Sequence, residues 1–264
     1  MKRLLTLLGD YPLTSALKKG EIVSDTVEFD FADYRPTNTG FKPMVLLPAV
    51  VMGRFQHEYA LYNRAKGKLT PADLEGKRIG VRSFTTTTAA WVRGILANDY
   101  GVDLDAIHWI TFEEPHVAEF VDTSERAPAG KKIVDMLLAG ELDAVLGERS
   151  DDPRLATLFA DPAAEAKAWY ARGGIVPINH MVVVSEKLAK QCPDEVREVF
   201  RMLKASKAKG AAPDKGAVDF CPFGVEAMRK PLEAIIRYAA QQRLIPRAYA
   251  VDELFDDTTR RLEL

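Results

Sequence analysis

The sequence predicts an α/β fold arranged as two lobes, and three observations carry that expectation. Short apolar runs alternate with helical patterns along most of the chain. Two such blocks are separated near Lys66–Lys68, and the pattern turns mainly helical from Ser185 onward. A chain ordered in this way crosses from one lobe to the other and returns. Lobe one is therefore expected to hold residues 1–68 plus 186–264 and lobe two residues 69–185, with a ligand cleft between them. The 264 residues are enough for two lobes, and 47% hydrophobic with 28% charged residues is an ordinary globular composition.

The elements follow in order. "RLLTLLG" reads as a first strand. "VEFDFADY" sets Val27, Phe29 and Phe31 against Glu28, Asp30 and Asp33, as a half-buried strand would. "VLLPAVVMGRF" is a further buried segment that runs into Arg54 and His57. In "LTPADLEGKRIGV", Thr70 suits an N-cap, Pro71 the first helical position and Asp73 the capping-box acid; Gly76 ends that short helix and "KRIGV" is the next strand. The run Thr85–Thr88 opens a helix that Gly101 terminates. A strand at "IHWITF", a polar loop from Ser124 to Gly130, the helix "GKKIVDMLLAGE" and the strand "LDAVLGE" come next. The helix "DPAAEAKAWYARGG" then precedes the apolar strand "IVPINHMVVVS". Two long helical stretches close the chain, with "KAKGAAPDKGA" as the most linker-like segment between them.

Composition also excludes classes of function. A formal net charge of −2 gives no electrostatic drive toward nucleic acid or anionic membrane. No apolar run reaches the length of a membrane span. "MKRLLTLLGDYPL" begins with a basic pair, but Gly9 and Asp10 interrupt the leucines short of an export signal. Cys192 and Cys221 form no framework or CxxC, so a cytoplasmic setting is expected. The 4 histidines show no metal-type spacing, and no glycine-rich nucleotide motif occurs; neither metal nor other cofactor is expected. Self-association is left open.

The stretch "RSFTTTTAAWVRG" poses the sharpest question, because threonine is a mediocre way to begin a helix. The first turn of a helix presents backbone N–H groups, and hydroxyls beside them make an anion receptor. Arg82, Ser83, Phe84, Thr85, Thr86, Thr87 and Thr88 are thus candidate ligand residues, with Arg82 able to grip a carboxylate through two hydrogen bonds. The bland alternative is a capped first turn beside a solvated arginine. Arg93 fits a ligand or a structural partner equally. His57, with Arg54 and Phe55 beside it, follows an apolar run, whereas His180 and Asn179 form a polar pair inside one; each histidine is either functional or a satisfied core residue. His108 reads as structural and His116 as exposed. Glu148 ends a strand, where open α/β sheets place ligand groups. Phe55, Phe84 and Trp91 can stack on an aromatic ring or serve as core.

The segments "AAWVRGILANDYGV", "GKKIVDMLLAGELDAVL", "WYARGGIVPINHMVVV" and "PFGVEAMRKPLEAIIRYAAQQRLIPR" resemble the 4,5-dihydroxyphthalate decarboxylase family, from about Leu46 to the end. "WVRGIL..DYGV" and "FGVEA.RK" are its most particular matches. The resemblance implies a two-lobe fold of the type II periplasmic-binding-protein kind. Where that family carries another strand and helix between "FKPMV" and "LLPAVV", here the two segments abut at Val45–Leu46, so the first lobe is expected to be shortened. The implied activity is decarboxylation of an aromatic diacid to protocatechuate and carbon dioxide, a lyase step in phthalate degradation. Arg82 and the threonine turn would hold the remaining carboxylate, His57 or His180 would supply a proton, and Glu148 would accept the phenolic proton. Glu226 and Arg229, in "FGVEAMRK", are expected to dock the C-terminal helix or position lobe one. The alternative is a solute-binding protein that recognises an aromatic or organic anion without catalysis.

Overall fold

The computed structural model describes residues 1–32, 43–117, 119–214 and 216–263. The strands are β1 (Lys2–Leu7), β2 (Val27–Ala32), β3 (Met44–Gly53), β4 (Ala60–Asn63), β5 (Arg78–Val81), β6 (His108–Thr111), β7 (Glu125–Arg126), β8 (Ala144–Leu146), β9 (Leu155–Thr157) and β10 (Ile178–Ser185). The helices are α1 (Pro12–Lys18), α2 (Thr87–Asp99), α3 (Ile133–Ala139), α4 (Pro162–Gly173), α5 (Glu186–Gln191), α6 (Pro193–Gly210) and α7 (Val225–Gln241). The expected partner Asp33 of the second strand lies outside the described residues, as does the start of "FKPMV".

Two compact units result. Unit 1 comprises Met1–Arg54, Ile178–Glu233 and Tyr249–Leu264; unit 2 comprises Phe55–Pro177 and Ala234–Ala248. The divisions fall at Arg54/Phe55 and Pro177/Ile178, whereas the sequence reading drew them at 68/69 and 185/186. The first difference arises because β4, not anticipated from sequence, joins unit 2 by pairing antiparallel with both β8 and β9.

In unit 1, β1 pairs parallel with β2, and β10 pairs antiparallel with β3. The abutting residues Val45 and Leu46 lie within β3, opposite Val184 and Val183. Packing closes this unit through α1 and α6, where Leu13, Leu17, Val196, Phe200 and Leu203 share one core with Leu47 and Val51. Burial of such side chains supplies about 25 cal/mol per Å² of apolar surface, the main favourable term for each unit. The helical run after Ser185 is two helices rather than one. Pro193 starts the second, and the residue before a proline is pushed out of the helical region; Cys192 accordingly has φ −140° and ψ 58°.

In unit 2, six strands form a single sheet in the order β7-β6-β5-β8-β4-β9, with β7, β6, β5 and β8 parallel. β7 lies inside the segment read as a polar loop. Local signals behaved as capping chemistry requires: the Asp73 carboxylate accepts from the Thr70 amide at 2.8 Å, and Asp161 caps α4 by accepting from the Ala164 amide at 2.9 Å. The short helix after Thr70 is a single 3₁₀ turn, Pro71–Asp73.

Candidate functional site

In unit 2 the carboxyl ends of the parallel strands gather the chemistry, as open α/β sheets do. Arg82 follows β5, Glu113 follows β6 and Glu148 follows β8. Arg82 Nε lies 3.2 Å from the Glu113 carboxylate, which also meets His116 Nε2 at 3.3 Å. The Arg82 carbonyl accepts from the amides of Phe112 and Glu113, at 3.0 and 2.8 Å, so the two strand ends are stitched together. Gly147 reaches φ 92°, a turn that favours glycine, and so swings Glu148 out of β8. Burial pushes the half-buried Glu148 carboxyl above the usual range, Arg82 draws it back and Glu113 pushes it up. Those influences place all three charges in one electrostatic neighbourhood.

The threonine run meets this cluster. The helix starts two residues later than expected: Thr86 is the N-cap and Thr87 the first helical residue. The Thr86 hydroxyl donates back to the Ser83 carbonyl at 2.9 Å rather than capping the helix. The Thr85 hydroxyl accepts from the His116 amide at 2.7 Å and lies 3.2 Å from the hydroxyl of Ser83, which is fully buried. Thr87 and Thr88 are half-buried on the first turn. Arg82, paired with Glu113, thus lies immediately before the segment that leads into this helix start.

Several expected ligand residues are occupied by packing. Trp91 is fully buried, edge-on to Tyr238 at 5.7 Å. Phe84 is stacked on Phe120 at 5.6 Å and edge-on to Trp109 at 5.6 Å, with the Arg93 guanidinium 3.8 Å from its ring centroid. Arg93 itself is fully buried and structural: it donates to the Gln242 side-chain oxygen at 2.8 Å and to the Phe84 carbonyl at 2.6 Å. Burial lowers its guanidinium to about 9, still charged at neutral pH. Phe55 is half-buried, edge-on to Tyr170 at 6.0 Å.

His57 does not present a proton to a ligand. Its ring is 2% exposed, with Phe159 at 5.1 Å and Trp169 at 5.9 Å, and its Nδ1 is buried without a hydrogen-bond partner. Burial lowers its pKa. His116, expected to be exposed, is half-buried and touches Glu113; His108 opens β6 on the surface.

In unit 1, His180 and Asn179 sit where the β10–β3 register shifts. Such irregularities re-aim side chains, which accounts for a polar pair inside an apolar strand. His180 Nδ1 lies 2.9 Å from the Tyr11 hydroxyl, a partner 169 positions away. Burial lowers the His180 pKa, and the charge of the half-buried Arg54 lowers it further. The pair borders a cavity of about 550 Å³ lined chiefly by apolar residues of β1 and β10. Glu226 and Arg229 pair with each other within α7, and Arg229 also reaches Asp252 at 3.2 Å, consistent with a docking role inside unit 1. Tyr11 and Glu113 were not singled out from sequence, and His116 was read as exposed. Only the placement of Glu113 just past an apolar strand, like that of Glu148, carried a usable signal.

No family model matches the chain. Two curated relatives carry the name 4,5-dihydroxyphthalate decarboxylase. One, from Comamonas testosteroni, is 32% identical over 200 residues, covering 70% of this chain and 61% of the relative. The other, from Pseudomonas putida, is 31% identical over 162 residues, covering 55% of this chain and 63% of the relative. The chain thus spans a little over three-fifths of the relatives it matches. Among solved structures, it is similar to the alkanesulfonate-binding protein SsuA from Xanthomonas axonopodis pv. citri, with 13% identity, 96% of each chain covered and a TM-score of 0.51. It is also similar to the periplasmic aliphatic sulphonate binding protein SsuA from Escherichia coli, with 12% identity, 93% of this chain and 88% of that chain covered and a TM-score of 0.51. The resemblance read from sequence holds, and the fold is the α/β fold of periplasmic solute-binding proteins.

Proposed function

We propose that this relative of the 4,5-dihydroxyphthalate decarboxylases is itself a carboxy-lyase acting on 4,5-dihydroxyphthalate or a similar hydroxylated aromatic acid. The observation that carries the reading is the 32% identity over 200 residues to a protein of that name. The strand-end cluster of unit 2 supplies what the chemistry asks for. Each carboxylate of the substrate is para to a phenolic hydroxyl, so removing that proton makes the carbon beneath the carboxylate basic.

Arg82 and the Thr85–Thr88 turn hold the carboxylate that stays, a charge-assisted contact. Glu148 takes the phenolic proton. Burial raises its pKa, and a carboxylate raised in this way is a stronger base for taking the proton. A second proton goes to the carbon that bears the departing carboxylate. The carbon–carbon bond then breaks, carbon dioxide leaves and the ring recovers its aromaticity with protocatechuate as product. Of the two candidate histidines His57 is enclosed, so the proton-donor assignment is kept for His180 alone. Arg54 and Asn179 adjoin His180 in sequence or charge and are assigned to ligand orientation there.

A chromatographic time course with purified protein and 4,5-dihydroxyphthalate, with and without added divalent metal, tests the proposal. Protocatechuate formed at a rate proportional to protein supports it. Saturable binding of the diacid without any product overturns it in favour of recognition without catalysis.

A further inference from the structure

We propose that Tyr11 is the positioning residue of His180: its phenol donates to Nδ1 of the neutral ring and so places the ring's own N–H on Nε2. The two side chains meet at 2.9 Å with their rings edge-to-face, 64° apart. A histidine nitrogen engaged in this way determines the tautomer, which decides what the other nitrogen can do. In this assignment the phenol is the donor and Nδ1 the acceptor; Nδ1–H donating to the phenol oxygen is the opposite tautomer, which ¹⁵N-histidine NMR would reveal.

The tyrosine is placed by its own loop. Gly9 does not have a left-handed backbone, so no dihedral requires glycine there. Space does: a Cβ at position 9 would stand 2.7 Å from Tyr11 Cε2, 3.0 Å from Cζ and 3.1 Å from the phenol oxygen. The tyrosine ring lies over the bare backbone of Gly9. Thr14, fully buried, clamps the same turn by donating to the Gly9 carbonyl at 2.9 Å and accepting from the Tyr11 amide at 3.0 Å. A phenol held from both sides of its loop is preorganised rather than swinging on a surface turn. The catalytic meaning of the contact rests on the decarboxylase reading; the contact itself does not.

The test is ¹⁵N-histidine NMR on the full chain, with the His180 signals identified by their loss in His180→Gln. In the wild type the neutral His180 ring is expected in the Nε2–H form. Tyr11→Phe should change its tautomer ratio by about fivefold, the factor that a hydrogen bond of ordinary net strength confers. Gly9→Ala should shift the ratio in the same direction, because its methyl group displaces the ring. Unchanged ratios in both folded variants would overturn the proposal. A shifted ratio in a protein that turns over no 4,5-dihydroxyphthalate would uphold the positioning and remove the decarboxylase reading. With turnover present, Tyr11→Phe should lower kcat and leave KM within about twofold.

Discussion

Unit 2 joins its six strands into one sheet, while the four described strands of unit 1 form two separate pairs. In unit 2 the strands β5 and β8 are each hydrogen-bonded on both sides, so Arg82 and Glu148, the candidate residues after them, follow ends that are tied to their neighbours. In unit 1, β1 and β10 are each paired on one side among the described residues, and both line the 550 Å³ cavity. There the orientation of Tyr11 and His180 comes from a loop clamp and a register shift instead of from a closed sheet. The contrast teaches that one chain can fix a functional group by two routes, strand pairing and side-chain steric fit, and that the second tolerates open edges.

The largest expected effect separates the two cores. Trp91→Ala removes a fully buried ring and should destabilise unit 2 by about 3–5 kcal/mol. Trp91, Trp109 and Trp169 all lie in unit 2, so urea unfolding followed by the fluorescence of the remaining two reads that unit alone. Amide exchange in the β3–β10 pair should change far less. Equal loss of protection in both units would mean that they unfold together and the contrast is only geometric.

A smaller effect concerns function. Arg82→Gln should lower kcat/KM for the diacid by at least roughly tenfold, since a hydrogen bond to a charged group contributes about 1.5–3 kcal/mol. Arg229→Gln, which loses only the pairing with Glu226 and Asp252 in unit 1, should leave turnover near that of the wild type. Indistinguishable rates for the two variants would remove the anion site from the strand ends of unit 2.

A pH titration sharpens the comparison further. The folded state depresses the His57 pKa below its unfolded value of about 6.5, so neutral His57 contributes stability above that pH. That contribution is lost as pH falls below about 6.5 toward the folded pKa, because the unfolded chain then binds the extra proton. His57→Phe should flatten this acid slope of unit 2 while changing neutral-pH stability by less than about 1.5 kcal/mol. An unchanged slope would assign the acid sensitivity to other groups.

The smallest stability change is expected at the open edges. Leu5 on β1 and Val183 on β10 are 67% and 42% exposed. Leu5→Lys or Val183→Lys should shift stability by no more than about 0.5 kcal/mol, yet lower any concentration-dependent association in sedimentation, since charges on an edge discourage strand pairing between chains. Association unaffected by either change would show that these edges do not mediate it.

Much of this architecture was legible because its signals are local. Thr70–Asp73, Asp161–Pro162 and the apolar runs of β1, β3 and β10 specify their own conformations within a few residues. The helix after the threonine run was legible for the same reason, and only its start was misplaced, because Thr86 turns its hydroxyl back to Ser83. What could not be read depended on distant partners. Nothing near His57 reveals that Phe159 and Trp169 enclose it, and nothing near Tyr11 points to His180. Phe84 and Trp91 looked available for stacking until Arg93 and Tyr238 took them. Short strands such as β7 and β9, of 2 and 3 residues, carry too few positions for any alternation to show.

Helix α7 begins in unit 1 and ends in unit 2, with Pro231 inside it just before the change of unit at Glu233/Ala234. Ala234 and Tyr238 from its second half complete a core whose other members, Trp91, Ile95 and Trp169, were synthesised more than sixty residues earlier. Unit 1 likewise waits for Tyr249–Leu264. On the ribosome, therefore, the first 177 residues emerge without the means to finish either unit, and each waits for a segment made after residue 233. The six strands of the unit 2 sheet, by contrast, are all present by Thr157, so their pairing can precede the sealing of that core.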